Sequence, residues 1–244
     1  MIDLKLSGAL ATITLEELEP LSRHDIEFAL ELRNVIRDAA DDDSVKAIIL
    51  RTESSDFCLP PTASDLKIAA DSRIKKAAAW HAAYSASSGL YQNLVYCKKF
   101  IVTVTRGQCA GAGSMLVLCS DFTVSSFDAT FDAPFAQYPE SNLVLAELTM
   151  RLNRAKSWML GGIAWSAEKA LHAGLINQAV DAVDLDACAI SAAKAAALMP
   201  LDGVAITKVL LESFLDTQGV GQDFDMADFY ASSMLAAQTQ SREK

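Results

Sequence analysis

Short apolar runs and longer helix-patterned stretches take turns along the first half of the chain, and that alternation narrows the fold more than any other feature. Residues 9–15 (ALATITL) are short, rich in β-branched side chains and followed by a polar loop, the pattern of a strand. Ser22 is a candidate N-cap for a helix reaching about Ala40, along which Ile26, Ala29, Leu30, Leu32, Val35, Ile36 and Ala39 keep a helical rhythm. The acidic turn Asp41-Asp42-Asp43 ends it, and residues 45–50 (VKAIIL) read as a buried strand. A loop over 53–63 carrying Pro60-Pro61 leads to a second long helix over 75–96, and residues 100–105 (FIVTVT) form another strand. A short helix over 114–119 and strands over 122–126 and 129–131 continue the pattern. Helices then take over, at about 143–160, 166–173, 184–199, 201–215 and 222–236. Such an order predicts an α/β core over 1–180 with a helical C-terminal region over 181–244.

Composition removes several function classes. With 51% apolar and 21% charged residues, wholesale disorder is excluded. The balance of 21 basic against 31 acidic residues gives a net charge of −10, the wrong sign for a phosphate-backbone binder, so no nucleic-acid partner is expected. No apolar run approaches the roughly 18–20 residues that span a bilayer, so no membrane partner is expected either. The first twenty residues lack a basic segment followed by an apolar stretch, so export is not expected. The 5 cysteines (Cys58, Cys97, Cys109, Cys119 and Cys188) are odd in number and include no CxxC pair. They are expected to be buried thiols of a cytoplasmic protein.

One segment carries chemistry. Gly107-Gln108-Cys109-Ala110-Gly111-Ala112-Gly113 falls between a strand and a short helix, where a glycine turn lets backbone N–H groups approach a ligand and the helix N-terminus favours negative charge. Three readings compete. A dinucleotide loop fits the glycine spacing, yet Tyr-x-x-x-Lys, the catalytic pair of short-chain dehydrogenases, follows at none of the 5 tyrosines. A nucleophilic Ser114 would want Gly-x-Ser-x-Gly, whereas the context is Ala112-Gly113-Ser114-Met115-Leu116. The third reading is an oxyanion hole whose N–H groups polarise a thioester carbonyl and stabilise an enolate.

The surroundings resemble the crotonase (enoyl-CoA hydratase/isomerase) superfamily. The stretches that carry the resemblance are Glu19-Pro20-Leu21-Ser22, Asp56-Phe57-Cys58, Lys98-Lys99 with the FIVTVT strand and Arg106-Gly107, Ala110-Gly111-Ala112-Gly113, Cys119-Ser120-Asp121, Phe131 with Pro134, and Leu160-Gly161-Gly162. Ser166-Ala167-Glu168-Lys169-Ala170 with Gly174-Leu175-Ile176 completes them. Together they cover about residues 9–240. The resemblance implies a crotonase-like spiral of ββα units with a helical C-terminal trimerisation region, assembled as a homotrimer or a dimer of trimers. It also implies an acyl-CoA thioester as ligand, with coenzyme A entering only as part of the substrate and no separate cofactor. The second oxyanion N–H falls on Ala112, and the first on Ser64 if Ser64-Asp65-Leu66 matches the family's Ala-Asp-Leu. An ungapped match would put the first at Pro61, which has no N–H. Leu21, Asp65, Leu66, Gly111, Met115 and Phe135 are the implied substrate-binding positions.

Hydration of an enoyl thioester needs one carboxyl group to activate water and one to exchange a proton at the α-carbon. The resemblance puts these at Met115 and at Phe135, directly after Pro134, and neither side chain carries a proton. A standard hydratase is therefore not expected. Glu140, in Pro139-Glu140-Ser141-Asn142, is the first candidate for a replacement catalytic acid, and Asp132, on the strand before Pro134, is the second. Glu147 is expected on a helix surface. His24 is expected to cap or to be solvated, His81 to lie on the long helix and His172 to be structural; without HExxH or clustered His/Cys spacing no metal site is expected. The expectation is a divergent crotonase-fold enzyme using an oxyanion hole for enolate-type chemistry, the alternative a non-catalytic crotonase-fold protein that binds acyl-CoA or a partner subunit.

Overall fold

The computed structural model describes residues 1–60, 73–133, 143–200, 202–226 and 229, with the backbone alone over 73–80 and at 143. It opens with a strand the apolar pattern does not mark: β1 (Ile2–Ser7) is largely exposed and pairs antiparallel with β2 (Leu10–Leu15) around Gly8, whose φ of +60° suits a tight turn. Then come α1 (Glu19–Ser22) and α2 (Ile26–Asp41). Ser22 is not the cap of the long helix. Pro20 starts a separate turn that ends at Ser22, His24 breaks the chain at φ +58°, and Asp25 caps α2 by accepting the Phe28 N–H at 3.0 Å.

The core continues through β3 (Ala47–Thr52), α3 (Arg73–Val95), β4 (Phe100–Thr105), β5 (Gln108–Cys109), α4 (Ala112–Cys119), β6 (Phe122–Ser126) and β7 (Thr130–Phe131). Beyond it lie α5 (Leu143–Thr149), α6 (Leu152–Gly161), β8 (Trp165–Ser166), α7 (Ala167–Ala173) and β9 (Gln178–Val180). A 3-10 turn at Ala182–Asp184 leads to α8 (Leu185–Ala197) and α9 (Gly203–Thr217), and residues 220–226 are again helical. The single helix expected over 143–160 is two. Thr149 turns its hydroxyl back onto the Leu145 carbonyl at 2.7 Å, and Arg151 is extended.

Six strands form the main sheet in the order β1-β2-β3-β4-β6-β9, parallel from β2 onward. Alternation along each strand divides the core between its two faces. Ile13, Leu15, Ile48, Leu50 and Ile101 face one side, where α2, α3 and α4 pack. Ala47, Ile49, Val102, Val104 and Val124 face the other, against Leu185, Ala189 and Ala193 of α8. Alanines at those positions let α8 lie close to the sheet. A second sheet, β5-β7-β8, is made of two-residue strands and joined by a parallel bridge between Cys58 and Cys109. Cys58, Cys97, Cys109 and Cys119 are buried free thiols as expected, whereas Cys188 is half-buried.

Candidate active site

Parallel strands leave their carboxyl ends free for ligand loops, and the glycine segment lies just past the carboxyl end of β4. There the small sheet clamps two loops together. Phe57 N–H donates to Arg106 O at 2.9 Å, Cys58 N–H to Gln108 O at 3.0 Å, and Ala110 N–H to Cys58 O at 2.9 Å. Asp56 seals the turn by accepting the Gln108 N–H at 2.7 Å, next to Gly107 at φ +54°. Gly111, at φ +51°, ends the second loop, and Ala112 opens α4 with its N–H turned toward the end of α1.

That N–H has an acceptor. Ser22 Oγ takes it at 3.0 Å and also lies 3.2 Å from Cys58 Sγ, with Ser22 and Cys58 both buried. Close packing holds the group in place: a Cβ on Gly113 would stand 2.6 Å from Cys58 Cβ. Burial pushes the Cys109 thiol far above its ordinary value, so the sulfur beneath this turn is a neutral packing atom and not a thiolate. Ser114 is no nucleophile either. Its hydroxyl is turned to backbone carbonyls of the small sheet, 3.1 Å from Cys109 O in β5 and 2.5 Å from Asp132 O just after β7.

Geometry of this kind, a parallel core with a glycine turn feeding an N–H into a buried niche, has a counterpart in known proteins. The sequence profile described as enoyl-CoA hydratase/isomerase matches residues 5–242. The chain belongs to the enoyl-CoA hydratase/isomerase family. Among its relatives, a probable enoyl-CoA hydratase of Mycobacterium bovis is 29% identical over 205 residues, covering 81% of this chain and 78% of the relative. The 1,2-epoxyphenylacetyl-CoA isomerase of Escherichia coli is 26% identical over 216 residues, covering 85% and 81%. The crystal structure of an enoyl-CoA hydratase/isomerase from Xanthobacter autotrophicus matches with a TM-score of 0.81 at 25% identity, over 97% of this chain and 87% of that one. The α/β fold is thus the crotonase fold, and the family processes acyl-CoA thioesters.

Within this family member the expected site residues divide. Gly111, Ala112 and Met115 lie at the start of α4, and Leu21 lies on α1, which packs against α4; Leu21, Ala112 and Met115 are buried. Asp132 follows β7, half-buried, and accepts Gln108 Nε2 at 2.9 Å. Ser64, Asp65, Leu66, Phe135 and Glu140 lie outside the described residues. Glu147, His81 and His172 are exposed. His24 is neither solvated nor a helix cap: it is buried, with its ring 4.3 Å from that of Tyr84. Sequence reasoning passed over two side chains at this site. Ser22 was assigned to the wrong helix, and Glu19 turns its carboxylate onto the Leu59 and Leu18 N–H groups at 3.0 and 3.1 Å. The signal for Glu19 is its place at the head of the Glu19-Pro20-Leu21-Ser22 stretch that carries the resemblance.

Among the described residues, no group of three His, Cys, Asp or Glu side chains could hold a metal ion, and no helix is long and apolar enough to cross a membrane.

Proposed function

We propose that this chain is a divergent crotonase-fold enzyme that uses the Ala112 N–H to polarise the carbonyl of an acyl-CoA thioester. The observation that carries this reading is the N–H itself, the first of α4, delivered by the Gly111 turn into a niche between two clamped loops. Hydrogen-bond donors aimed at a developing enolate oxygen are worth about 10²–10³ in rate each. The Ser64 N–H is the second proposed donor. Leu21, Asp65, Leu66, Met115 and Phe135 are proposed to line the acyl and pantetheine path. Met115 and Phe135 stand where a hydratase carries its two glutamates, which argues against addition of water and equally against an isomerase that relies on the second of those acids, and leaves enolate-type proton exchange through another acid. Glu140 is the proposed acid and Asp132 its alternate.

The test is proton exchange. In deuterated water, one-dimensional NMR of butyryl-CoA with catalytic amounts of protein is expected to show loss of the α-proton signal, and Glu140→Gln is expected to slow that loss at least tenfold. Exchange unaffected by Glu140→Gln removes Glu140 while leaving the enzyme. Binding without exchange turns the reading to its alternative, a non-catalytic acyl-CoA binder, which the hydroxyl already seated on Ala112 favours. A homotrimer or dimer of trimers is proposed on the apolar face of α9, where Ile206, Val209, Leu210, Leu211 and Phe214 are each 46–71% exposed. Analytical ultracentrifugation tests that assembly.

A further inference from the structure

An ordinary helix cap takes the N–H of the second or third helical residue. Ser22 takes that of the first: its hydroxyl accepts the Ala112 N–H at 3.0 Å, from a segment 90 residues earlier in the chain. Gly111, at the cap position, has no side chain to do so. The same oxygen lies 3.2 Å from Cys58 Sγ, so it stands between the first loop and the first N–H of α4, and Ser22 itself is only 2% exposed. A thioester oxygen accepting the Ala112 N–H needs that same position.

We propose that Ser22 is a positioning residue whose hydroxyl holds the carbonyl seat on Ala112 and yields it to the thioester oxygen. The inference rests on the acyl-CoA reading above. Binding then exchanges one acceptor on Ala112 for another, with Ser22 rotating about χ1. The carbonyl accordingly adds little net affinity, since the hydrogen bond it gains is offset by the one it displaces. Ser22 thereby sets how strongly the protein distinguishes a thioester from a CoA derivative that lacks the carbonyl.

The experiment compares butyryl-CoA with S-butyl-CoA, the thioether of the same length without the carbonyl oxygen, by titration calorimetry on wild type and Ser22→Ala. The ratio of the thioether Kd to the thioester Kd is expected within about twofold of one in wild type and about fivefold higher in Ser22→Ala, the tilt of one net hydrogen bond. A purely structural Ser22 would weaken both ligands alike. Binding of both ligands with an unchanged or lower ratio in Ser22→Ala overturns the inference and leaves the acyl-CoA reading standing. Failure of every ligand to bind either protein at millimolar concentration removes that reading, and this inference with it. Binding to Ser22→Ala where wild type binds nothing supports both. Should Ser22→Ala not fold, two measurements take its place. Ser22→Cys, whose sulfur is a weaker acceptor, is expected to raise the ratio by a smaller factor. In ¹⁵N-labelled wild type, the Ala112 amide resonance is expected to move with butyryl-CoA and not with S-butyl-CoA; an identical response to both ligands overturns the proposal.

Discussion

Strands β4 and β6 are finished in opposite chemistry at their two edges. At the carboxyl edge the Ala112 N–H itself meets a neutral acceptor, the Ser22 hydroxyl beside the Cys58 thiol. The carboxylates of Asp56 and Glu19 accept backbone N–H groups of the flanking loops there and pair with no cation among the described residues. At the amino edge Asp121 accepts the Ile101 N–H at 2.8 Å and takes the Lys208 ammonium on both oxygens, at 2.7 and 2.6 Å. Lys208 comes from α9, its side chain 9% exposed. Beside the pair is a cleft of about 590 Å³ walled by Phe100, Phe122, Met199 and Leu211. A neutral acceptor can be exchanged for a ligand atom at little net cost. A desolvated ion pair cannot give up one partner without stranding the other charge. The amino edge is therefore built to fix α9 on the sheet, and the carboxyl edge to be rearranged.

That contrast breaks first if the carboxyl edge proves soft throughout. Its hydrogen bonds are replaceable, but its backbone frame is not. Gly107 has φ +54°, and an added Cβ would overlap the Asp56 carboxylate and stand 2.5 Å from Ser55 O. Gly107→Ala is expected to cost about 4 kcal/mol, combining left-handed strain with overpacking, by urea denaturation. A loss under about 1 kcal/mol would mean that the two loops are not clamped. Lys208→Met comes next, at about 2 kcal/mol, less than for a fully buried pair because Asp121 keeps some solvent contact. An effect near zero would reduce the amino edge to an ordinary surface pair.

The edges also differ in how far local pattern reveals them. Strands β4 and β6 coincide with the expected 100–105 and 122–126, because runs of β-branched residues are a signal internal to each strand. Strand β7 falls inside the expected 129–131, but β5 and β8, two residues each, are too short to show a period, so most of the small sheet that clamps the site is not legible. Ser22 shows the limit in one residue. Its hydroxyl does satisfy the first turn of a helix, as the sequence suggested, but the helix is α4 and not α2. Contacts between residues that far apart leave no mark in a local window. The Ala112 turn was legible because glycines advertise it, and the acid that would serve it was not, since only the fold brings a carboxylate to a niche.

Ser22→Ala sharpens the contrast from the other side. Removing one neutral acceptor from the Ala112 N–H is expected to lower stability by about 1 kcal/mol, half the effect of Lys208→Met. A loss as large as that of Lys208→Met would make Ser22 a structural tie and the carboxyl edge as rigid as the other.

The smallest effect comes from the exposed counterpart of the Lys208 pair. Lys46, just before β3, pairs with Asp202, just before α9, and so ties the same helix to the same edge in open solvent. The hydrogen bond from Lys46 holds the Asp202 carboxyl below its ordinary value, and the hydroxyl and N–H of Ser44 do the same for Asp42. A carboxyl lowered in the folded state stabilises at pH above its unfolded value, about 3.9, and loses that contribution as pH falls through the folded value. Melting temperatures are therefore expected to be flat from pH 7 to 5, as far as these two groups are concerned, and to fall below pH 4. Lys46→Met should remove the Asp202 share of that fall while shifting Tm at pH 7 by less than about 1 °C, because water and salt screen an exposed pair. If Lys46→Met instead matches Lys208→Met, burial is not what separates the strong tie from the weak one, and the two edges differ only in where their charges lie.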